Sequence, residues 1–285
     1  MYTWPLQPEH ITWNMFRFFK KVPYSENLPA TIKGLVENHC VVYISDVPAD
    51  VDAEQFYIEL ADKVGTLLRK DENPLTGKIS NNAWTEIKFT AEKKNLAYKF
   101  SDKRQPLHTD YCYFPFVMNI TFFYCVENAA KGGATTFMDT QLLVTLLKDY
   151  EPELYKQLTT QEVIFSRGDS PISTKTCKVI DFDEQGPVLQ WSQARVSENN
   201  PPEVLKMAAR FHEFLEEKIV SGGLLLPVNL QPGEAVFIRD RRVLHGRNAY
   251  FGERFLKKAA ITTRGEQHFR EVFAGLGMDP SKFGQ

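Results

Sequence analysis

Leu107-His108-Thr109-Asp110-Tyr111 and Val243-Leu244-His245-Gly246-Arg247 are the stretches whose reading decides the fold. In extended chain, successive side chains point to opposite faces, so His108 and Asp110 share one face and Thr109 turns away. One imidazole and one carboxylate then converge on a point. A second imidazole from a distant strand would complete a set of two histidines and one carboxylate, which leaves three adjacent positions open on a ferrous ion. His245 is the candidate. The chain has six histidines, and the other four sit in poorer settings. His10 lies near the start, His39 ends a helical pattern, His268 is in the tail, and His212 falls off the apolar stripe of a helix and reads as a surface imidazole. An isolated His-x-Asp triplet is weak by itself, so the surrounding pattern has to carry the reading.

Working outward from the two stretches, Phe116 to Val126 is rich in β-branched and aromatic residues and reads as an internal strand. A Lys131-Gly132-Gly133 turn leads into a strand over Ala134 to Met138, and Asp139 caps a helix from Gln141 to Tyr150. Pro152 restarts a shorter helix through Leu158. Gln161 to Arg167 and Val188 to Ala194 read as strands separated by a mobile Ser/Thr/Lys loop. Pro202 to Val220 is the clearest helix, with Val204, Met207, Ala208, Phe211, Phe214 and Leu215 at spacings that make one core-facing stripe. Strands follow at Leu224 to Val228, Ala235 to Arg239, around His245, and from Phe255 to Thr263, with Asp240-Arg241-Arg242 as a turn.

Before the first stretch, a helix over Ala30 to Asn38, a strand over Cys40 to Ser45 and a helix from Asp52 to Val64, stopped by Gly65, read as scaffold. The aromatics Trp4, Trp13, Phe16, Phe18 and Phe19 are expected to pack onto the domain. From Leu67 to Lys103 the pattern is that of a long loop carrying short strands, a segment type that often contacts substrate. Asn81, Asn82 and Trp84 are its candidate contacts.

Composition limits the function classes. The 285 residues carry 34 basic and 36 acidic side chains, for a net charge of -2, so no basic field is available to hold nucleic acid. The hydrophobic share of 43% supports a full core. Cys40, Cys112, Cys125 and Cys177 show no metal-knuckle spacing and read as reduced thiols. No apolar run is long enough to span a membrane, and no leader pattern opens the chain. A single domain in the cytoplasm is expected over 1–285, with a lead-in at 1–66, a core at about 67–265 and a tail at 266–285. Oligomeric state is not legible.

In order, His108-Thr109-Asp110, Gly132-Gly133-Ala134-Thr135, Pro232-Gly233-Glu234 before a strand, Arg242-Val243-Leu244-His245-Gly246-Arg247 and Arg254-Phe255-Leu256 resemble the landmarks of the taurine dioxygenase and γ-butyrobetaine hydroxylase-like (TauD/TfdA) family. These are iron(II)- and 2-oxoglutarate-dependent oxygenases. The resemblance implies an α+β fold whose core is a double-stranded β-helix, a cupin-like jelly-roll with flanking helices. It implies His108, Asp110 and His245 as iron ligands and Arg254 as the fork for the distal carboxylate of 2-oxoglutarate, helped by Thr135. Where taurine dioxygenase has a second arginine, four residues after Arg254, this chain has Lys258, which offers charge without a fork. Lys258, with Arg247 or Arg264 as substitutes, is the candidate for the proximal carboxylate. Asp110 speaks against the related halogenases, which lack that carboxylate.

The implied activity is oxidation of an unactivated C–H bond of a small polar metabolite, an amino acid or a biosynthetic intermediate, free or tethered to a carrier. Iron(II), 2-oxoglutarate and O2 are the implied cofactor and cosubstrates, with succinate and CO2 released. Hydroxylation is the default outcome, and desaturation or cyclisation uses the same residues. Tyr111, Asn82, Trp84, Arg195 and Arg247 are the candidate substrate contacts. Two rivals stand beside this reading. A non-oxidative cupin-like binding protein would not need Arg254, and a zinc hydrolase would need a general base that the sequence does not supply beside the triad.

Overall fold

The computed structural model describes residues 17–68, 71–72, 79–80, 82–115, 118–167 and 173–265, together with 267, 271 and 274. The expectations for Trp4, Trp13, Phe16, Asn81, the start of a strand at Phe116 and nearly all of the tail lie outside the described residues. The chain opens with β1 (Phe19–Pro23), α1 (Leu28–Asn38), β2 (Val41–Ser45) and α2 (Ala53–Val64). Short strands β3 (Thr66–Leu68), β4 (Asp71–Glu72), β5 (Ile79–Ser80) and β6 (Thr85–Lys88) follow, then 3-10 turns at Ala91–Lys93 and Tyr98–Phe100. Next come β7 (Gln105–His108), β8 (Ile120–Glu127), β9 (Lys131–Gly132) and β10 (Thr135–Asp139). Helices α3 (Thr140–Tyr150) and α4 (Pro152–Thr160) lead to β11 (Glu162–Ser166), β12 (Thr174–Lys178), β13 (Ile180–Asp183) and β14 (Gly186–Leu189). After α5 (Pro202–Phe214) the chain closes with β15 (Leu226–Val228), β16 (Ala235–Arg239), β17 (Val243–Arg247), β18 (Tyr250–Phe251) and β19 (Phe255–Thr262).

Two sheets form the core. The larger has seven strands in the order β1-β2-β16-β8-β19-β3, with β6 also paired to β19, and the smaller runs β15-β10-β17-β7. Strand β8 explains why its sequence reads as an unbroken apolar run. Phe122 and Tyr124 pack outward with Tyr57, Leu60 and Ile32 of the first two helices, while Phe123 and Cys125 pack inward with Phe137 and Val243 of the smaller sheet. Both faces are covered, so both must be apolar. The expected lead-in is therefore no appendage, because β1 and β2 extend the large sheet beyond β16.

The helices form where the caps and stripes place them. Asp52 accepts the Gln55 N–H at 3.1 Å at the start of α2, and Asp139 accepts the Gln141 N–H at 2.9 Å at the start of α3. Every residue of the expected stripe from Val204 to Leu215 is buried. It packs with Leu147, Leu158, Phe165 and Trp191 in a third apolar cluster beneath the smaller sheet. The helix widens into a π-helical turn over Leu215–Val220.

Two local expectations are corrected. The Ser/Thr/Lys segment is not a plain mobile loop where it is described: Thr174–Lys178 pairs with β11, and Ile180–Asp183 pairs with β14. Its polar residues hide the strand period, and its order comes from pairing. The strand expected over Val188 to Ala194 ends at Leu189, and Gln193–Arg195 is a 3-10 turn. No helix among the described residues is long and apolar enough to cross a membrane.

Candidate metal centre and cosubstrate pocket

The two deciding stretches meet as neighbouring strands. β7 and β17 pair antiparallel with His108 opposite His245, and the two imidazole rings lie 4.3 Å apart. Gly246 permits the close pairing, since a Cβ there would stand 2.8 Å from the Gln105 carbonyl. Asp110 follows β7 and precedes a turn made at Tyr111.

 The Tyr111 φ of +55° is left-handed backbone, which swings the chain away from the strand immediately after the carboxylate. Thr109 turns to the other side, where its hydroxyl accepts the Trp191 N–H at 3.0 Å.

The candidate ligand atoms of His108, Asp110 and His245 all lie within 4.8 Å of one another. His108 donates Nδ1–H to the Pro106 carbonyl at 2.9 Å, which leaves its Nε2 lone pair directed at the cluster. The Gln105 amide meets that Nε2 at 3.0 Å. Burial holds the His108 imidazole below its ordinary range, and burial together with His108 pushes His245 down to about 3. Burial alone would raise the Asp110 carboxyl, but Lys258 and the two imidazoles outweigh it and hold the group well below the usual carboxylate range. Two neutral imidazoles and one carboxylate are the protonation states a divalent cation needs. Lys258 donates to Asp110 Oδ1 at 2.6 Å, while Oδ2 is buried without a hydrogen-bond partner. An orphaned carboxylate oxygen 3.5 Å from His245 Nε2, in a cluster that also holds His108, fits a metal ion.

Asp240 supports the cluster, although sequence reasoning gave it only a place in a turn. Its carboxylate accepts the Asp110 N–H at 2.8 Å. Burial and the neighbouring Asp110 charge hold the Asp240 carboxyl well above its ordinary range. No periodicity signals such a residue.

The triad opens into a cavity of about 770 Å³. Arg254, Leu256 and Lys258 line it from alternate positions of one extended segment, and Thr135 lines it from β10. Arg254 is only 4% exposed and forms no ion pair among the described residues, while its guanidinium lies 5.5 Å from the centre of the Tyr250 ring. Burial and nearby Arg247 lower its pKa to about 10. Gly133 makes room for this side chain, since a Cβ there would stand 3.0 Å from Arg254 Cδ. The Gly-Gly turn and the distant arginine thus meet at one point.

The remaining candidates divide. Tyr111 and Arg195 line the cavity. Arg247 lines it too, but its guanidinium donates to the carbonyls of Tyr98, Ser101 and Lys103 at 3.2, 2.6 and 2.6 Å. Asn82 and Trp84 are corrected: neither lines the cavity. Strand alternation is the reason, since Thr85 and Ile87 face the cavity while Trp84 packs against Phe122 and Tyr124 on the far side of the sheet. Asn82 is exposed and accepts the Trp84 N–H at 3.1 Å. His212 is also corrected, because it is half-buried and lines the cavity. Lying off the core stripe turned it toward the pocket.

A cupin-like double-stranded β-helix that holds two histidines and a carboxylate beside a buried arginine defines the class of iron(II)- and 2-oxoglutarate-dependent oxygenases. The chain belongs to the taurine catabolism dioxygenase TauD, TfdA family, whose model matches residues 5–260. It is 26% identical over 171 residues to dioxygenase str8 of Strobilurus tenacellus, covering 58% of this chain and 39% of that protein. It is 27% identical over 153 residues to gamma-butyrobetaine dioxygenase of Pseudomonas sp. (strain AK-1), covering 51% and 39%. The matched region thus spans about two fifths of these curated relatives. Among solved structures, an asparagine oxygenase in complex with Fe(II), 2S,3S-3-hydroxyasparagine and succinate superposes with a TM-score of 0.68. That match is 13% identical and covers 87% of this chain and 82% of the other, a likeness of fold.

Proposed function

We propose that this protein is an iron(II)- and 2-oxoglutarate-dependent dioxygenase that hydroxylates an unactivated C–H bond of a small, amino-acid-like metabolite in the cytoplasm. The observation that carries the reading is Arg254, a buried guanidinium without a carboxylate partner among the described residues, in the same cavity as the triad. A buried charge of this kind calls for an anion. A planar fork suits a carboxylate best.

In this reading His108, Asp110 and His245 hold the iron, and Arg254 with Thr135 receives the distal carboxylate of 2-oxoglutarate. When bound, iron with 2-oxoglutarate and O2 supplies the oxidant for the C–H bond. The protein's own part is to orient and to exclude water. Asp240 fixes the Asp110 backbone, and the Pro106 carbonyl fixes the His108 tautomer. Lys258 keeps Asp110 ionised and brings a positive charge to the side of the proximal carboxylate. Tyr111 and Arg195 face the substrate, whether it is free or tethered to a carrier, and the described residues act as one domain.

The test is an anaerobic titration of the metal-free protein with iron(II) and 2-oxoglutarate. The expected result is the visible charge-transfer band of a ferrous ion chelated by a 2-oxo acid, lost at the same 2-oxoglutarate concentration in Arg254→Ala. Iron that binds without the band, or a band indifferent to Arg254, overturns the assignment.

A further inference from the structure

Beyond the triad, the cavity has a second charged end. Arg167 follows β11, and Arg195 closes the 3-10 turn Gln193–Arg195. An isolated antiparallel bridge joins Phe165 to Val196, and the Ser197 N–H donates to the Ile164 carbonyl at 2.9 Å. The two segments are thereby locked side by side. Tyr113 stands between their side chains: Arg167 Nη1 donates to its hydroxyl at 3.1 Å, and the Arg195 guanidinium lies 5.3 Å from its ring centre. Two guanidiniums from separate elements thus flank one ring, three residues beyond the metal-binding Asp110.

The wider lining has the same sign. Eight lysines and arginines border the cavity against one carboxylate, Asp110, among the described residues. The described lining therefore favours anions over cations. A quaternary ammonium group would look for the open face of an aromatic ring. The Tyr113 face carries Arg195, and the Tyr111 face carries Lys258 Nζ at 5.2 Å.

Resting on the oxygenase reading above, we infer that Arg167 and Arg195, set about Tyr113, form the subsite for an acidic group of the substrate, and that the substrate is a net anion. Its class is that of an acidic amino-acid derivative with two carboxylates, one of which is held by the arginine pair. The betaine named for the Pseudomonas relative joins its carboxylate to a quaternary ammonium, and the described lining offers that cation no carboxylate but Asp110.

The experiment titrates the anaerobic protein, loaded with iron(II) and 2-oxoglutarate, with N-acetyl-L-aspartate, N-acetyl-L-asparagine and γ-butyrobetaine, and reads binding by calorimetry. Wild type, Arg167→Gln, Arg195→Gln and the charge-keeping Arg195→Lys are compared. The dicarboxylate is expected to bind about tenfold more tightly than its amide, and either glutamine variant should erase most of that advantage. Arg195→Lys should keep part of it. The chromophore of the chelated cosubstrate, recorded in the same cell, should be the same in all four proteins. The subsite is overturned if no probe binds, if the three bind alike, if γ-butyrobetaine binds best, or if the glutamine variants keep the preference. A missing chromophore with the arginine-dependent preference intact would strike the oxygenase reading and leave the anion subsite standing.

Discussion

The two walls of the cavity are built on different principles. The metal wall is made of strands: His108 sits in β7, His245 in β17, and Arg254, Leu256 and Lys258 run into and along β19. Strand register and alternation place these side chains, so their geometry follows from pairing that the whole sheet enforces. The opposite wall is made of short turns, Tyr98–Phe100 and Gln193–Arg195, held by a few long-range contacts such as the Arg247 hydrogen bonds and the Phe165–Val196 bridge. Chemistry that a family shares belongs on the first kind of wall. Selectivity that must vary belongs on the second.

The sharpest way to break this contrast is on the metal wall. His108→Ala, Asp110→Ala and His245→Ala should each lose bound iron and iron-dependent succinate formation together, measured by metal analysis and product assay. Turnover that survived loss of His245 would dismantle the site. Next in size, Arg254→Ala should raise the half-saturating 2-oxoglutarate concentration on the order of 100-fold, the equivalent of about 3 kcal/mol for a lost charge-assisted pair. Arg254→Lys should recover part of it, because the charge returns without the fork.

Asp240→Ala should weaken iron binding by about 10- to 100-fold, as is usual for partners that orient a ligand. Asp240→Asn should cost less, because its side-chain oxygen can still accept the Asp110 N–H, and a competitive chelator titration would separate the two. Arg247→Ala, which removes the anchor that reaches the turn wall from the end of β17, should raise the substrate KM far more than it lowers kcat and should speed amide hydrogen exchange over residues 98–103. Equal loss in both constants would place Arg247 with the metal wall. The smallest effect is expected from Asn82→Ala, which should stay within about 0.5 kcal/mol of wild-type stability and leave turnover unchanged.

The same contrast decides what could be read from the sequence. The triad, Arg254 and Thr135 were legible as candidates because strand alternation and short motifs are local properties of the chain, and the structure brings those residues to one cavity. The stripe of α5 was legible for the same reason. Asp240 was not, because its task depends on meeting a backbone N–H 130 residues away in sequence. Trp84 reads as a candidate contact because the long-loop pattern hides a four-residue strand whose alternation sends Thr85 and Ile87, and not Trp84, to the cavity. His212 looked superficial because a helix pattern shows which residues avoid the core and not that a pocket lies on the other side.

Arg247 grips the segment at 98–103 only through main-chain oxygens, those of Tyr98, Ser101 and Lys103. A carbonyl is common to every amino acid. The segment's side chains can therefore be exchanged freely by mutation while its path over the pocket is preserved, as long as three oxygens return to the same guanidinium. That anchoring separates the heritable shape of the wall from its chemical face, and it makes this stretch the natural place for the protein to drift, or to be redirected in the laboratory, toward new substrates.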